Sequence, residues 1–384
     1  MTVEQIYTLM NAVTSEITGK TDLVMEDLSN VVDVGTAIFN ASSFDAYVKT
    51  LLNHIGKVIF VNRPYSGNIP SVLRDAWEFG SVLEKISVDL PEATENESWE
   101  LTDGESYDPN IFYKPTVSAK FYNKRVTFEV PVSITEKQVK QSFSNASQLN
   151  GFVSMIYTAV DKSLTVKIDS LVMRTINAMI GETVKADYGT DLIGSKSGIK
   201  AVNLLYLYNQ KFNKSITADE AITDPDFIKY ACYTIGMYAK RLTKLSTLFN
   251  VGGKERFTPD DLLHVVMLSD FKKASAVYLE SSTFHDEMVA LPKAEEVPYW
   301  QGSGQTYAFN DVSKIYITTP NGDTVTVTGV LGVMFDHDAL GICCEDRRVT
   351  TNYNPKAEFT NSWFKFDCGC FCDKDEQFVV FFVA

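Results

Sequence analysis

Near its end the chain reads FKFDCGCFCDKDE, which places Cys368, Cys370 and Cys372 within five residues. Thiols this close are candidate metal ligands or redox partners. Structural zinc sites, however, usually present their cysteines as C-x2-4-C pairs from turns, and the spacing here is C-x-C-x-C, with no C-x-x-C anywhere in the chain. In a strand, residues two apart share a face. The even positions are then Phe364, Phe366, Cys368, Cys370 and Cys372, and the odd ones Lys365, Asp367, Gly369, Phe371 and Asp373. Free cysteine behaves as a small buried hydrophobe, so the cysteines are expected to continue an apolar stripe facing a core. A metal site that also draws on Cys343 and Cys344 is the weaker alternative. Same-strand cysteines two apart also have the wrong geometry for a disulfide.

Other stretches with chemical promise fail on spacing. In GTDLIGSKS, Gly189 and Gly194 match a phosphate-binding loop, but Ser195 displaces Lys196 by one position from where lysine must reach phosphate. A linker is expected there. Asp336-His337-Asp338 sits between two apolar segments and reads as a turn with an aspartate cap. His54, His264 and His285 show no ligand spacing, no G-x-S-x-G elbow occurs, and Lys240, Arg241 and Lys244 read as a solvated basic face. No catalytic, cofactor-binding or metal-binding residue is assigned, and no cofactor and no enzymatic activity are expected.

The elements that must carry these residues come from periodicity. A helical stripe occupies residues 2–18, and two further helical or mixed pieces follow, with an apolar run at Val58–Val61. A looser stretch covers 62–77. From about 80 to 131, two extended segments, SVLEKISVDLP and TVSAKFYNKRVTFEVPV, flank an insert whose seven acidic residues have no lysine or arginine among them. This reads as a long hairpin with an irregular tip, and such a hairpin needs something to lean on. Next, apolar residues recur by fours and threes at Phe152, Ile156, Val160, Leu164, Ile168, Leu171, Val172, Ile176, Met179 and Ile180, one face of a long helix. Ser144 or Asn145 is its expected N-cap and Gly181 its expected C-terminal glycine. A second helix is expected from Asp224 to Phe249, entered through Pro225. LLHVVMLSDFKKASAVYLE reads as a buried strand followed by a helix, and Asn321-Gly322 as a hairpin turn.

Bulk properties set outer limits. The chain has 384 residues, 45% apolar and 22% charged, with a net charge of −14. Such an acidic balance lacks the basic footprint of a dedicated nucleic-acid binder. No apolar run approaches a membrane span and no basic leader opens the sequence, so a reducing cytoplasm is the expected site of synthesis.

In order, these parts resemble the major capsid proteins of tailed bacteriophages, which have the Hong Kong 97 fold. The likeness is carried most by the 152–180 helix, by VVMLSDFKKASAVYLE, and by the ending GVLGVMFDHDALGICCEDRRVTTNYNPKAEFTNSWFKFDCGCFC. The resemblance implies an α+β chain. Its parts would be an N-terminal arm (1–61), an extended loop (62–131), a peripheral domain with a spine helix (132–190), an axial domain (191–344) and returning C-terminal strands (345–384). It further implies pentamers and hexamers that close into an icosahedral shell around double-stranded DNA. That DNA would be enclosed without sequence-specific binding, in a virion assembled in the host cytoplasm and with no membrane. An acidic wall suits such a container, because a strongly basic one would grip phosphates by counterion release. Only residues 1–61 precede the loop, so a separate scaffolding protein is expected, along with a portal. Some family members crosslink through a loop lysine; Lys114, Lys120 and Lys124 lie in that region, and none is singled out. The alternative within the same fold is the shell of a bacterial nanocompartment. The alternative from another class is a cysteine-ligated metal or redox protein.

Overall fold

One face of a single helix carries the apolar stripe read at 152–180, and the helix is longer than the stripe. In the computed structural model it runs Ala146–Tyr188, 43 residues, or roughly 65 Å at 1.5 Å per residue. Ile156, Val160, Leu164, Val172, Ile176 and Ile180 are all buried. Asn145 caps the start, its side-chain oxygen accepting from the Gln148 amide at 2.9 Å. The structure describes residues 3–41, 44–62, 69–74, 83–91, 93–189, 191–280, 292–301, 308–318 and 322–384. The looser stretch at 62–77 therefore lies largely outside the described residues.

Numbered along the chain, the helices are α1 (Val3–Thr18), α2 (Val31–Ala41), α3 (Phe44–Asn62), α4 (Glu136–Ser142), α5 (Ala146–Tyr188), α6 (Leu204–Phe212), α7 (Ala218–Ala221), α8 (Pro225–Leu242), α9 (Ser269–Glu280) and α10 (Phe309–Val312). The first six strands are β1 (Leu83–Val88), β2 (Val117–Tyr122), β3 (Arg125–Thr135), β4 (Ala201–Asn203), β5 (Leu263–Leu268) and β6 (Glu295–Val297). The rest are β7 (Ile315–Thr318), β8 (Thr324–Val327), β9 (Val330–Asp336), β10 (Leu340–Asn354), β11 (Phe359–Cys372) and β12 (Phe378–Phe382). The chain divides into two units, with α5 passing from the first into the second after Arg174. Among the described residues no helix is long and apolar enough to cross a membrane.

The first unit comprises Met1–Phe79, Lys124–Arg174 and Ile342–Cys370. Its helices α1, α2 and α3 pack together around Ile6, Met10, Val13, Tyr47, Leu51 and Ile55, all essentially inaccessible. Its sheet has the order β10-β11-β3. Phe366 faces Phe128 across the β11–β3 ladder, with ring centroids 5.4 Å apart. Here the cysteine question is answered in part. From Thr360 to Cys368 the even positions of β11 are buried, as alternation requires. The ladder to β3 then ends at Gly369 opposite Arg125, and the buried set changes to Gly369 and Phe371. Cys368 is a core residue, whereas Cys370 and Cys372 are only half-buried. The expectation of one continuous cysteine stripe therefore fails at the point where the pairing that enforced it stops.

The second unit comprises Gly80–Asn123, Thr175–Gly341 and Phe371–Ala384. Its core is a five-stranded sheet of order β4-β12-β9-β5-β6, with β9 and β12 buried at every position. Such continuous apolar strands need cover on both faces. Asp224 caps α8 through the Asp226 amide at 2.9 Å, with Pro225 in the first turn. The helix ends at Leu242, short of the expected Phe249. There the chain turns, and Ser246 bridges Arg256 instead of continuing the helix. β7 and β8 form the expected hairpin, with Thr318 opposite Thr324. Gly322 in the turn has φ +86°, while Asn321 lies outside the described residues. The long hairpin is also corrected. Of the second extended segment only β2 pairs with β1, and β3 joins the sheet of the first unit.

Gly181 does not end α5. A Cβ there would lie 2.6 Å from Cγ2 of Ile317, so the missing side chain serves close packing inside the helix. The helix closes at Gly189, whose φ of +59° suits the left-handed terminal position. In an open helix Gly→Ala stabilises by about 0.5–1 kcal/mol. Gly181→Ala is expected to do the reverse, destabilising by about 1–3 kcal/mol through overpacking, with Ile317→Ala in the same chain restoring much of the loss in denaturant titrations. Cys368→Ser should lose about 1–3 kcal/mol for putting a polar hydroxyl in place of a buried thiol, and Cys372→Ser, at a half-buried position, clearly less; thermal melts of the two variants would separate them.

Candidate functional site

The hairpin expected to lean on something does so through charge. β1 and β2 pair from Leu83 opposite Tyr122 to Val88 opposite Val117. Alternation places Leu83, Lys85, Ser87, Ser118, Lys120 and Tyr122 on one face of this ribbon and Glu84, Ile86, Val88, Val117, Ala119 and Phe121 on the other. The first face is half-buried along its length and the second exposed. On the first face Ser87 and Ser118 share a hydrogen bond of 2.7 Å, and Tyr122 packs on Phe371 with centroids 5.5 Å apart.

The two lysines reach into the turn between β11 and β12. Lys120 lies 2.6 Å from Asp375 and 2.8 Å from Asp373. Lys85 lies 2.9 Å from Asp373 and 2.7 Å from Glu376, which also accepts from Nε of Arg256 at 3.0 Å. Charges therefore alternate along one chain: Asp375, Lys120, Asp373, Lys85, Glu376, Arg256. Three cations face three carboxylates. Asp373 is the central member and has a side chain only 2% exposed. Burial alone would raise its pKa, but the Lys120 and Lys85 ammonium groups outweigh burial and hold it below the ordinary carboxylate value. Lys85 shows the mirror case: burial lowers it, while bonds to Glu376 and Asp373 raise it further, above the ordinary lysine value. For the Tyr122 hydroxyl, burial and then the Asp373 charge both push the pKa up.

The turn is built to hold its carboxylates in place. The Asp373 amide donates to the Ala339 carbonyl at 2.7 Å, the Gly252 amide to the Lys374 carbonyl at 2.7 Å, and the Phe378 amide to the Phe249 carbonyl at 2.9 Å. At the far end of β1, Asp89 pairs with Lys254 at 2.7 Å.

On the other face Ile86 is 62% exposed and Phe121 64%, with Val88 and Val117 also exposed. The irregular insert beyond adds exposed Trp99, Leu101, Ile111, Phe112 and Tyr113. An exposed apolar strip of this kind marks an interaction surface. The Asp336–Asp338 turn is capped as expected, the Asp338 amide donating to the Asp336 side chain at 2.8 Å. It also brings His337 within 2.9 Å of His264, a pairing that spacing did not reveal. Among the described residues no group of three or more His, Cys, Asp or Glu is placed to hold a metal ion. Burial pushes the Cys370 thiol up against the pull of Lys124 and Arg174, and raises Cys232 to about 12, the opposite of a reactive thiolate. Within GTDLIGSKS, Ile193–Ser195 form a single 3-10 turn, and Lys196 pairs with Asp191 at 2.6 Å. Of the basic cluster, Lys240 pairs with Asp260 at 2.6 Å and Arg241 lies over the Tyr238 ring.

Comparison with known proteins gives the chain its family. The model of the Phi29-like phage major capsid protein family matches residues 10–382. The chain belongs to this family. It is 21% identical over 168 residues to the major capsid protein of Bacillus phage GA-1, a match covering 43% of this chain and 34% of that one, about a third of the relative's length. A chain in the capsid structure of Staphylococcus phage Andhra aligns with a TM-score of 0.51 at 8% identity, covering 84% of this chain and 86% of that one. One in the capsid structure of Cyanophage P-SCSP1u gives 0.42 at 11%, covering 82% and 86%. The fold is of the Hong Kong 97 type, as the order of elements implied. This phage major capsid protein has a structural role whose place is the virion, and the nanocompartment alternative is not favoured.

In this capsid protein the ionic chain should be stable over a wide pH range and fail at the extremes. Asp373, held below its ordinary value near 3.8, contributes stability that is present above that value and lost as pH falls through the depressed one. Lys85 and Lys120, held above 10.5, contribute stability that is lost only as pH rises through their raised values. Asp373→Asn should destabilise the second unit by about 3 kcal/mol at neutral pH and flatten its acid limb, as read by denaturant titrations at a series of pH values.

Proposed function

We propose that this capsid protein assembles through pentamers and hexamers into an icosahedral shell that encloses double-stranded DNA, built in the host cytoplasm. The observation that carries the reading is the bare apolar face of the β1–β2 ribbon, Ile86, Val88, Val117 and Phe121, continued by Trp99 and Phe112. A second copy of the chain is the partner that a shell subunit meets on every side, and burying such a face against it removes apolar area from water at about 25 cal/mol per Å². The net charge of −14 supports a wall that encloses DNA without gripping it. Residues 62–131, apart from the part of β3 that pairs with β11, serve as the extended loop, 1–61 as the arm, 132–190 as the peripheral domain with its spine, 191–344 as the axial domain, and 345–384 as the returning strands. A scaffolding protein and a portal complete the assembly.

Expression with and without the neighbouring genes, followed by negative-stain microscopy and light scattering, tests the reading. Closed shells or five- and six-fold rings are expected. Ile86→Asp combined with Phe121→Asp should abolish them while changing the stability of the single chain by no more than about 0.5 kcal/mol per exposed site. A wild-type chain that stays monomeric under every condition would overturn the proposal.

A further inference from the structure

The ribbon is attached to the body of its unit in an unusual way. Its inner face offers two lysines and two serines between Leu83 and Tyr122, so most of what touches the body is charge. Its internal register is complete over six residue pairs. The carboxylates it meets are organised without it, because the backbone of Asp373 and Lys374 bonds to Ala339 and Gly252, and that of Phe378, just past the turn, to Phe249. Further support comes from Gln377, which accepts from Thr258 at 2.7 Å and donates to the Arg256 carbonyl at 3.0 Å. The sheet β4-β12-β9-β5-β6 is held by its own ladders, with β9 and β12 buried at every position.

We propose that the alternating chain Asp375–Lys120–Asp373–Lys85–Glu376–Arg256 is a conformational lock that sets the position of the ribbon on its unit and can open without unfolding that unit. With the lock closed, each lysine bridges two carboxylates. With it open, Asp373 and Asp375 lose their lysine partners and Glu376 keeps Arg256, an imbalance that favours the closed state. Both lysines retain access to solvent, 24% for the Lys85 side chain and 36% for Lys120, so dissolved ions can compete with the contacts. Opening would re-aim the apolar outer face while leaving a polar inner one exposed. The lock is a property of the single chain and stands independently of the shell reading.

Hydrogen exchange on the full-length chain, kept unassembled by dilution, reads this directly. In the wild type, raising NaCl from about 0.1 to about 1 M shortens the screening length from ~10 to ~3 Å. It should speed exchange of the Leu83–Val88 and Val117–Tyr122 amides about tenfold, with the β5, β9 and β12 amides unmoved. Lys85→Met combined with Lys120→Met should produce the same pattern at low salt and leave only the small salt response of the partly exposed Asp89–Lys254 pair. Unchanged ribbon exchange in both experiments would overturn the proposal. So would exchange that rises equally in ribbon and sheet, since that would make the ion chain a general stabiliser of the unit. Assembly enters neither measurement, so failure of the lock and failure of the shell reading are separately visible.

Discussion

A two-stranded ribbon has two faces and no third layer, so it cannot bury itself and is marginal alone in water. That constraint organises the functional part of this capsid protein. Each face of β1–β2 is assigned to a different solution. One is held to its own unit by alternating charges around Asp373; the other carries Ile86, Val88, Val117 and Phe121 into solvent. The period-two alternation of a strand permits the division, because a lysine at one position and an isoleucine at the next never compete for the same face. A register slip by one residue would turn the apolar residues onto the carboxylates and the lysines away from them. The salt contacts therefore fix register as well as position.

What was legible in the sequence was what depends on near neighbours. The apolar stripe of α5 repeats over consecutive turns and needs nothing distant to be recognised. The Asp224-Pro225 helix start and the β7–β8 hairpin are likewise local. What was missed was decided by partners far along the chain. Gly181 looks like a helix end until Ile317 is seen filling the space its side chain would take. The alternation of TVSAKFYNKRVTFEVPV runs on past Asn123, yet β2 and β3 join different sheets because their partners, β1 and β11, belong to different units. Cys370 and Cys372 leave the core stripe because the ladder to β3 ends at Gly369. The ion chain draws on Lys85, Lys120, Arg256 and the 373–376 turn, which no spacing rule connects. It left one faint signal: Lys85 and Lys120 occupy strand positions on the same face as Leu83 and Tyr122, where an apolar residue would be the default.

That exception suggests why charge rather than apolar contact holds the ribbon. Replacing buried ion pairs with apolar residues is often neutral or stabilising, so strength alone does not explain lysines at these positions. An apolar inner face would, however, give the ribbon two sticky sides and a row of unpaired edge groups, the description of an aggregation site. Lysine keeps the inner face soluble whenever it is uncovered. Its ammonium is also a compact point charge on a flexible stem, able to bridge two carboxylates without the fixed fork that arginine imposes. Arginine appears once in the chain of charges, at Arg256, on the side that belongs to the body of the unit. The fixed partner thus sits on the rigid side and the adaptable ones on the ribbon, a distribution suited to a contact that must be specific when closed and harmless when open.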